Sequence, residues 1–345
     1  MAPLVSIVMP CFNAGRWLDA ALDSLQRQTH RELEIVAVDD GSTDGTAGLL
    51  AQRARADPRV RPVRLERNVG PGAAANRGLA ESRGRFIARL DADDVAMPGR
   101  LEAQLAFLQQ TGVDLCGSWF VEFGQGIPRT TRWPHTEAAV KAGLLFQNPI
   151  CHPTVMARRQ VFERHPYRPD SRLAEDYDLF SRASAEFRLA NVPRALVRYR
   201  RHPGQASQAW RDAMEAVTRS IRLANLARQG IAATPEEQRL HNLIRAPGSI
   251  DRLDDLLGIE QWLRKLLAAH AEVNARQVIA SQWIRACIRA APLGRAMWQA
   301  FRASPLREAA GGGGGAGVDL RVLAALKLDY RGRAFAWLRR FGLSA

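Results

Sequence analysis

No stretch of this chain holds the ~18 or more consecutive apolar residues that a bilayer-spanning helix needs, so a membrane span is not expected. The first residues, MAPLVSIVMPCFN, lack the basic region and small-residue cleavage site of a secretion signal, and read instead as a first buried strand. Only four cysteines occur, Cys11, Cys116, Cys151 and Cys287, with no C-x-x-C pair. That argues against a disulfide framework and a zinc site, and a reducing cytoplasm is the expected setting. No G-K-[ST] follows the glycine-rich stretches, which rules out a Walker loop, and no recognised nucleic-acid motif is present. No internal repeat is found. Acidic charge is in deficit, with 35 Asp and Glu against 49 Lys and Arg, a net charge of +14. Such a surplus suits an anionic partner such as nucleotide phosphate or anionic lipid. It equally suits a chain that places arginine at ordinary surface positions.

What is present is the composition of a soluble globular protein, with 46% hydrophobic and 24% charged residues over 345 positions, enough for one large or two medium domains. Three short apolar runs, Leu4–Met9, Leu33–Val38 and Arg85–Leu90, alternate with stretches of helical spacing at Arg16–Gln28, Thr46–Ala56 and Gly72–Ser82. This alternation predicts an α/β domain with a mostly parallel sheet flanked by helices, and ligands beyond the carboxyl ends of the strands. From Arg211 the β-branched runs disappear, and the pattern predicts helices at Arg211–Gln229, Ile250–Leu267, Ala271–Ala290 and Leu293–Ala303. Thr234-Pro235-Glu236-Glu237 marks a further helix start, with Thr234 as N-cap. The expected division is therefore an α/β domain over residues 1–210, a helical appendage over 211–305, a glycine-rich linker over 306–317 and a basic amphipathic helix over 318–345.

The chemistry-bearing residues follow the apolar runs. Pro10, Phe12 and Asn13 close the first; a turn there exposes backbone groups able to hydrogen-bond a flat base. Asp39 and Asp40 end the second, and two carboxylates at the end of an apolar strand need partners. A uracil N–H or a ribose hydroxyl would supply one; Ser42 or Asp44 can cap the helix that follows. Asn68 to Gly78 is rich in small residues that permit close backbone approach, and Arg77 can meet a phosphate. Asp91 and Asp93 are two apart, so in extended chain both project to one side, a spacing suited to Mg²⁺ or Mn²⁺ bridging a diphosphate. The plain alternative is an acidic loop capping the next helix. Glu175 and Asp176 open a helix and either balance its dipole or supply a general base. A base must be ionised to work, and the helix N-terminus favours that form. His202 sits in a basic turn as a candidate metal or diphosphate ligand.

In order and spacing, VSIVMPCFN, VDDGSTDGT, RNVGPGAAANRGLAESRGRFIARLDADD, HPTVMARR and EDYDLF together resemble the family 2 glycosyltransferases of GT-A fold, over about residues 4–205. The resemblance implies a nucleotide-binding domain, a divalent cation and inversion at the anomeric carbon. By motif position it implies that Asp40 contacts the base and Asp91 the ribose or metal. It makes Asp93 the principal metal ligand and Asp176 the base, with His202 where some relatives contact diphosphate or metal. A Q-x-x-R-W motif of processive synthases is missing, which argues for single-sugar transfer.

The expected activity is thus metal-dependent, inverting transfer of a sugar from a nucleotide-diphosphate donor, with UDP preferred by resemblance. The acceptor is a hydroxyl of a glycan or lipid-linked precursor for the cell surface. The alternatives are a sugar-phosphate nucleotidyltransferase, which would show a G-x-G-T-R-like loop where this chain has PCFNAGRW, and a binding module without catalysis. No nucleic-acid partner is expected. The segment from Leu320, with Arg321, Lys327, Arg331, Arg333, Arg339 and Arg340 interleaved with apolar residues, has the pattern of a helix lying on an anionic membrane; the plain alternative is that its apolar face packs on the helical appendage.

Overall fold

A computed structural model of the protein describes residues 2–203, 211–310 and 315–328. The chain forms two compact units: Met1–Val140 with Asn148–Ile221, and Lys141–Gln147 with Arg222–Ala345.

The first unit begins β1 (Val5–Cys11), α1 (Gly15–Gln26), β2 (Leu33–Asp39), α2 (Thr46–Ala56), β3 (Val60–Arg64), α3 (Pro71–Glu81) and β4 (Phe86–Arg89). β1 pairs in parallel with both β2 and β4, and β3 continues the parallel run beyond β2. Every residue of β2 is buried, as expected of a parallel strand covered on both faces. Along β1, Val5, Ile7, Met9 and Cys11 alternate into one apolar layer, where Leu18, Leu22 and Leu25 of α1 meet them. Each of those leucines contributes roughly 1.5–3 kcal/mol by burial. On the opposite face α3 packs close. The small residues Ala74, Ala75 and Gly78 are its buried ones, and a Cβ added at Gly78 would come within 2.6 Å of Val8 Cγ1. Their smallness serves helix-on-sheet packing.

Beyond β4 lie β5 (Val95–Ala96), α4 (Arg100–Thr111), β6 (Leu115–Phe123), β7 (Arg129–Thr131), α5 (Glu137–Gly143), β8 (Met156–Arg158), α6 (Arg159–Arg164), α7 (Glu175–Ala183) and β9 (Leu189–Arg200). The strands form one nine-stranded sheet, β3-β2-β1-β4-β8-β6-β9-β5, with β7 on β6. β8 runs antiparallel to β4 and β6, β5 runs antiparallel to β9, and β6 and β9 are parallel. The sheet is therefore mixed, and the expectation of a mostly parallel sheet holds only for its first half. β8 reverses the direction and is three residues long, reached straight from the short turn His152–Thr154, so no periodicity announces it.

The second unit is helical, with helices Pro235–Leu243, Leu253–Ala268, Val273–Arg289, Arg295–Ala303, Leu306–Ala309 and Gly315–Leu326 around the buried Trp262 and Trp283; the helix Arg211–Arg228 leads into it. Thr234 forms a full capping box: Glu237 N–H donates to its Oγ1 at 3.2 Å, and its own N–H donates to Glu237 Oε2 at 2.8 Å. Residues 141–147 belong to this unit. Asn225 Nδ2 donates to the Leu144 carbonyl at 2.6 Å, and His241 Nε2 to the Leu145 carbonyl at 2.8 Å. His241 Nδ1 accepts from Trp262 Nε1 at 3.0 Å, which puts the ring proton on Nε2. Burial pushes this histidine down to about 4, so it stays neutral. Helix occupies both ends of the stretch expected as linker, at Leu306–Ala309 and from Gly315. Leu320, Leu323 and Ala324 are buried within the unit. The remainder of the expected amphipathic helix, residues 329–345, lies outside the described residues. No helix among the described residues is long and apolar enough to cross a membrane.

Candidate active site

β1, β2 and β4 end side by side, which brings Cys11–Asn13, Asp39–Asp40 and Asp91–Asp94 to one sheet edge. Asp40 N–H donates to the Cys11 carbonyl at 2.8 Å. Pro10 is partly buried within β1, and Phe12 is half exposed, at 51%. Asn13 takes a left-handed conformation, φ 49°, and ties the first loop to the second. Its N–H donates to Ser42 Oγ at 3.0 Å and its Oδ1 accepts from Thr43 N–H at 2.9 Å. Asp44 accepts from Gly15 N–H at 3.1 Å and from Thr46 N–H at 2.9 Å, so it serves the first turns of α1 and α2.

Asp39 and Asp40 are both buried but differently engaged. Asp40 Oδ1 accepts from Val69 N–H at 2.8 Å and Oδ2 from Gly70 N–H at 3.0 Å, so this carboxylate holds the loop before α3. Burial raises its pKa and those two donors lower it. Asp39 Oδ1 accepts from Ser42 N–H at 3.0 Å. Its Oδ2 is buried and accepts no hydrogen bond among the described residues, with Arg64 Nε 4.0 Å away.

Asp91 is partly buried, with Arg89 Nη2 at 3.4 Å from Oδ1. Burial pushes its carboxyl up to about 6 against the pull of Arg89, and Asp93 and Glu175 push the same way. Asp93 Oδ2 lies 3.0 Å from His202 Nε2. Arg200 fixes the loop: its Nε donates to the Asp93 carbonyl at 2.7 Å and its N–H to Asp94 Oδ1 at 2.8 Å. The Arg200 guanidinium lies between the rings of Trp17 and Phe123, at 4.2 and 4.4 Å. The Trp17 ring stands 5.8 Å from that of His202.

Glu175, Asp176 and Asp178 occupy the first turn of α7. Asp178 pairs with Arg182 at 2.8 Å. Asp176 Oδ1 accepts from Tyr177 N–H at 2.7 Å, and Oδ2 from Asn148 Nδ2 at 2.7 Å. Burial and then Glu175 push this carboxyl up to about 7; Tyr177 and Asn148 pull down, and Asp91 pushes up. The helix N-terminus was expected to keep it well ionised, but desolvation and a neighbouring carboxylate outweigh it. Behind it, His152 Nε2 and the Tyr167 hydroxyl are 2.6 Å apart. Asn76 clamps the Tyr167 backbone, donating to its carbonyl at 2.8 Å and accepting from its N–H at 3.1 Å.

Residues 6–165 match the model of glycosyl transferase family 2. An uncharacterized glycosyltransferase of Haemophilus influenzae is 32% identical over 237 residues, covering 65% of this chain and 73% of the relative. The chain belongs to glycosyl transferase family 2. The succinoglycan biosynthesis protein ExoO of Rhizobium meliloti is also 32% identical, over 71% of this chain and 75% of that relative. S. aureus TarS 1-349 shares the fold at 17% identity, TM-score 0.54, covering 95% of this chain and 93% of that one. The protein is thus a sugar-transferring enzyme with a nucleotide-sugar donor and a glycan or lipid acceptor.

In this glycosyltransferase the fold gathers Asp91, Asp93 and His202 at the sheet edge, and Asp176 lies close enough for the charge of Asp91 to act on it. Arg77 is elsewhere engaged, its half-exposed guanidinium pairing with Glu81 at 2.8 Å along α3. Asn148, Trp17 and Arg200 carry no role in the sequence reading. Arg200 stands two residues before His202, and its pairing with Phe123 across β6 and β9 is set by strand register, which no local pattern announces. Nothing in the local sequence marks Asn148.

Proposed function

We propose that this glycosyltransferase catalyses metal-dependent, inverting transfer of a sugar from a nucleotide-diphosphate donor, UDP-linked by preference, to an acceptor hydroxyl of a glycan or lipid-linked precursor. The observation that carries the reading is the Asp176 carboxylate: it is partly buried, held by two N–H donors, and lies within electrostatic reach of Asp91 in the D-x-D pair. A carboxylate with a midpoint near neutrality suits a general base that takes the acceptor proton as the new bond forms. Positioning of donor and acceptor supplies much of the rate, and the transition state has oxocarbenium character.

Base recognition is better assigned to Asp39 than to Asp40. Asp40 spends both oxygens on Val69 and Gly70, whereas Asp39 Oδ2 is a buried acceptor without a donor, which a uracil N–H would satisfy. The D-x-D residues fit a divalent cation. Asp93 and His202 already converge, and burial together with the neighbouring Asp93 and Glu175 disfavours the charged form of Asp91, which a cation would relieve. Among the described residues no three His, Cys, Asp or Glu form a ready-made cage. Mg²⁺ and Mn²⁺ commonly bind through one or two carboxylates, with phosphates and waters completing the shell. Asp93 with His202, and Asp91, would hold the ion; when bound it offsets charge on the departing diphosphate.

The proposal extends to a cytoplasmic enzyme, peripheral on an anionic membrane face. Free, scattered cysteines support the first part; the second rests on the sequence of residues 329–345, where Arg331, Arg333, Arg339 and Arg340 alternate with Trp337, Leu338 and Phe341, since Leu320, Leu323 and Ala324 pack within the helical unit. The test of activity is a panel of UDP-, GDP- and dTDP-sugars with Mn²⁺ or chelator, read as nucleotide release by mass spectrometry. Release from a UDP-sugar only with metal is expected; metal-independent release, or none from any donor, would sink the reading.

A further inference from the structure

Asn148 sits in the turn that leads to His152–Thr154, and its amide is built into place from both ends. Its Oδ1 accepts from Ile150 N–H at 3.0 Å, which settles the amide orientation and turns Nδ2 toward Asp176 Oδ2, 2.7 Å away. The turn is itself pinned. Asn191, fully buried on β9, donates from Nδ2 to the Pro149 carbonyl at 2.9 Å and to the Pro134 carbonyl at 2.6 Å. Gly117 on β6 leaves room for that contact: a Cβ there would run into Asn191 Oδ1 and come within 2.7 Å of Ile150 Cγ2. Asp176's other oxygen is held by Tyr177 N–H at 2.7 Å. Both oxygens are thus oriented by N–H donors, and each keeps a lone pair for an incoming hydroxyl.

We propose that Asn148 is a positioning residue of the transfer reaction, locking the Asp176 carboxylate in one orientation and favouring its ionised form. The inference rests on the reading of Asp176 as the base. Glu175 stands beside the carboxylate on α7, Asp91 lies at the end of β4, and Tyr167 and Cys151 are buried uncharged within reach of its field. Burial and the two acidic neighbours favour the protonated acid; a hydrogen bond given to the anion opposes them. A carboxamide provides that bond without adding a charge.

The experiment compares kcat against pH for wild type, Asn148→Ala, Asn148→Asp and Asp176→Asn, by nucleotide release at saturating donor and acceptor, with donor binding by calorimetry and thermal melting of each variant. Loss of the donor destabilises the anion, so the acid limb of Asn148→Ala should move up by on the order of one pH unit. Its donor affinity should be unchanged, and activity should return at higher pH. Asn148→Asp keeps the size and sets a second carboxylic acid against the first, so its limb should move further up. A uniform loss of kcat with the limb of Asn148→Ala unmoved would overturn the proposal. Should the alanine variant not fold, a wild-type limb in the near-isosteric Asn148→Asp would overturn it equally. A fully active Asp176→Asn enzyme refutes the base itself; an inactive one beside an unshifted Asn148 profile refutes only the role of Asn148.

Discussion

Asp39 and Asp40 are neighbours of the same type, yet the structure predicts opposite consequences for their amide variants. In Asp40→Asn one amide oxygen can still accept from Val69 or Gly70, but the NH₂ group then faces the other N–H. Leaving one buried donor unpaired costs about 1–3 kcal/mol. At roughly 2–4 °C per kcal/mol for a chain of this size, the melting temperature should fall by about 2–12 °C. Asp39→Asn keeps its acceptor for Ser42 N–H, and its new NH₂ replaces an oxygen that accepts no hydrogen bond among the described residues and meets only the exposed Arg64, 4.0 Å away. Its melting temperature should stay near wild type. Its UDP affinity should fall, because an N–H edge of uracil would meet an N–H donor. A loss of about 1–3 kcal/mol corresponds to roughly 5–150-fold. Differential scanning fluorimetry and UDP calorimetry on the two variants read both quantities. An Asp39→Asn protein that melts early but binds UDP normally, beside a stable Asp40→Asn protein that does not bind, would refute the assignment.

Three further outcomes are expected. Asp176→Asn should lose on the order of 10²–10⁴-fold in turnover, the usual scale for a general base, with donor affinity nearly unchanged; two active variants, Asp176→Asn and Glu175→Gln, would leave the mechanism without a base. In wild type, the ionised Asp176 is the working form and its carboxyl stands at about 7, so kcat should rise with pH through a midpoint near there; Glu175→Gln removes a like charge and should move that midpoint down, and an upward shift would contradict the electrostatic account. Full-length protein should float with anionic liposomes more than a truncation before Gly311 does, and equal flotation would remove the membrane role.

The first half of the fold is legible because Leu4–Met9, Leu33–Val38 and Arg85–Leu90 are short, mostly apolar runs of the kind that a doubly covered sheet buries. Thr234 is legible because a capping box is local chemistry. The second half of the sheet is not. β8 has three residues and β5 two, too short for any period, and their direction depends on pairing with strands tens of residues away. The site divides the same way. The D-x-D spacing reports a shared direction by strand geometry alone. The choice between Asp39 and Asp40 turns on Val69 and Gly70, some thirty residues downstream, which no local pattern connects to them. Asn148 is a neutral amide in a turn, and its meaning depends on the first turn of α7 coming to lie against it. At Asp176 the helix N-terminus is visible in sequence, whereas the desolvation that opposes it depends on the packing of distant elements.

The most direct test of the central claim, a metal-loaded D-x-D site that drives sugar transfer, is turnover as a function of Mn²⁺ concentration for wild type and Asp93→Asn, at fixed UDP-sugar and with melting curves to check folding. Asp93 Oδ2 meets His202 rather than a buried structural partner, so the variant should fold normally. The account predicts saturable Mn²⁺ dependence in wild type and loss of that turnover in Asp93→Asn. A wild-type rate for Asp93→Asn at limiting Mn²⁺ would contradict it.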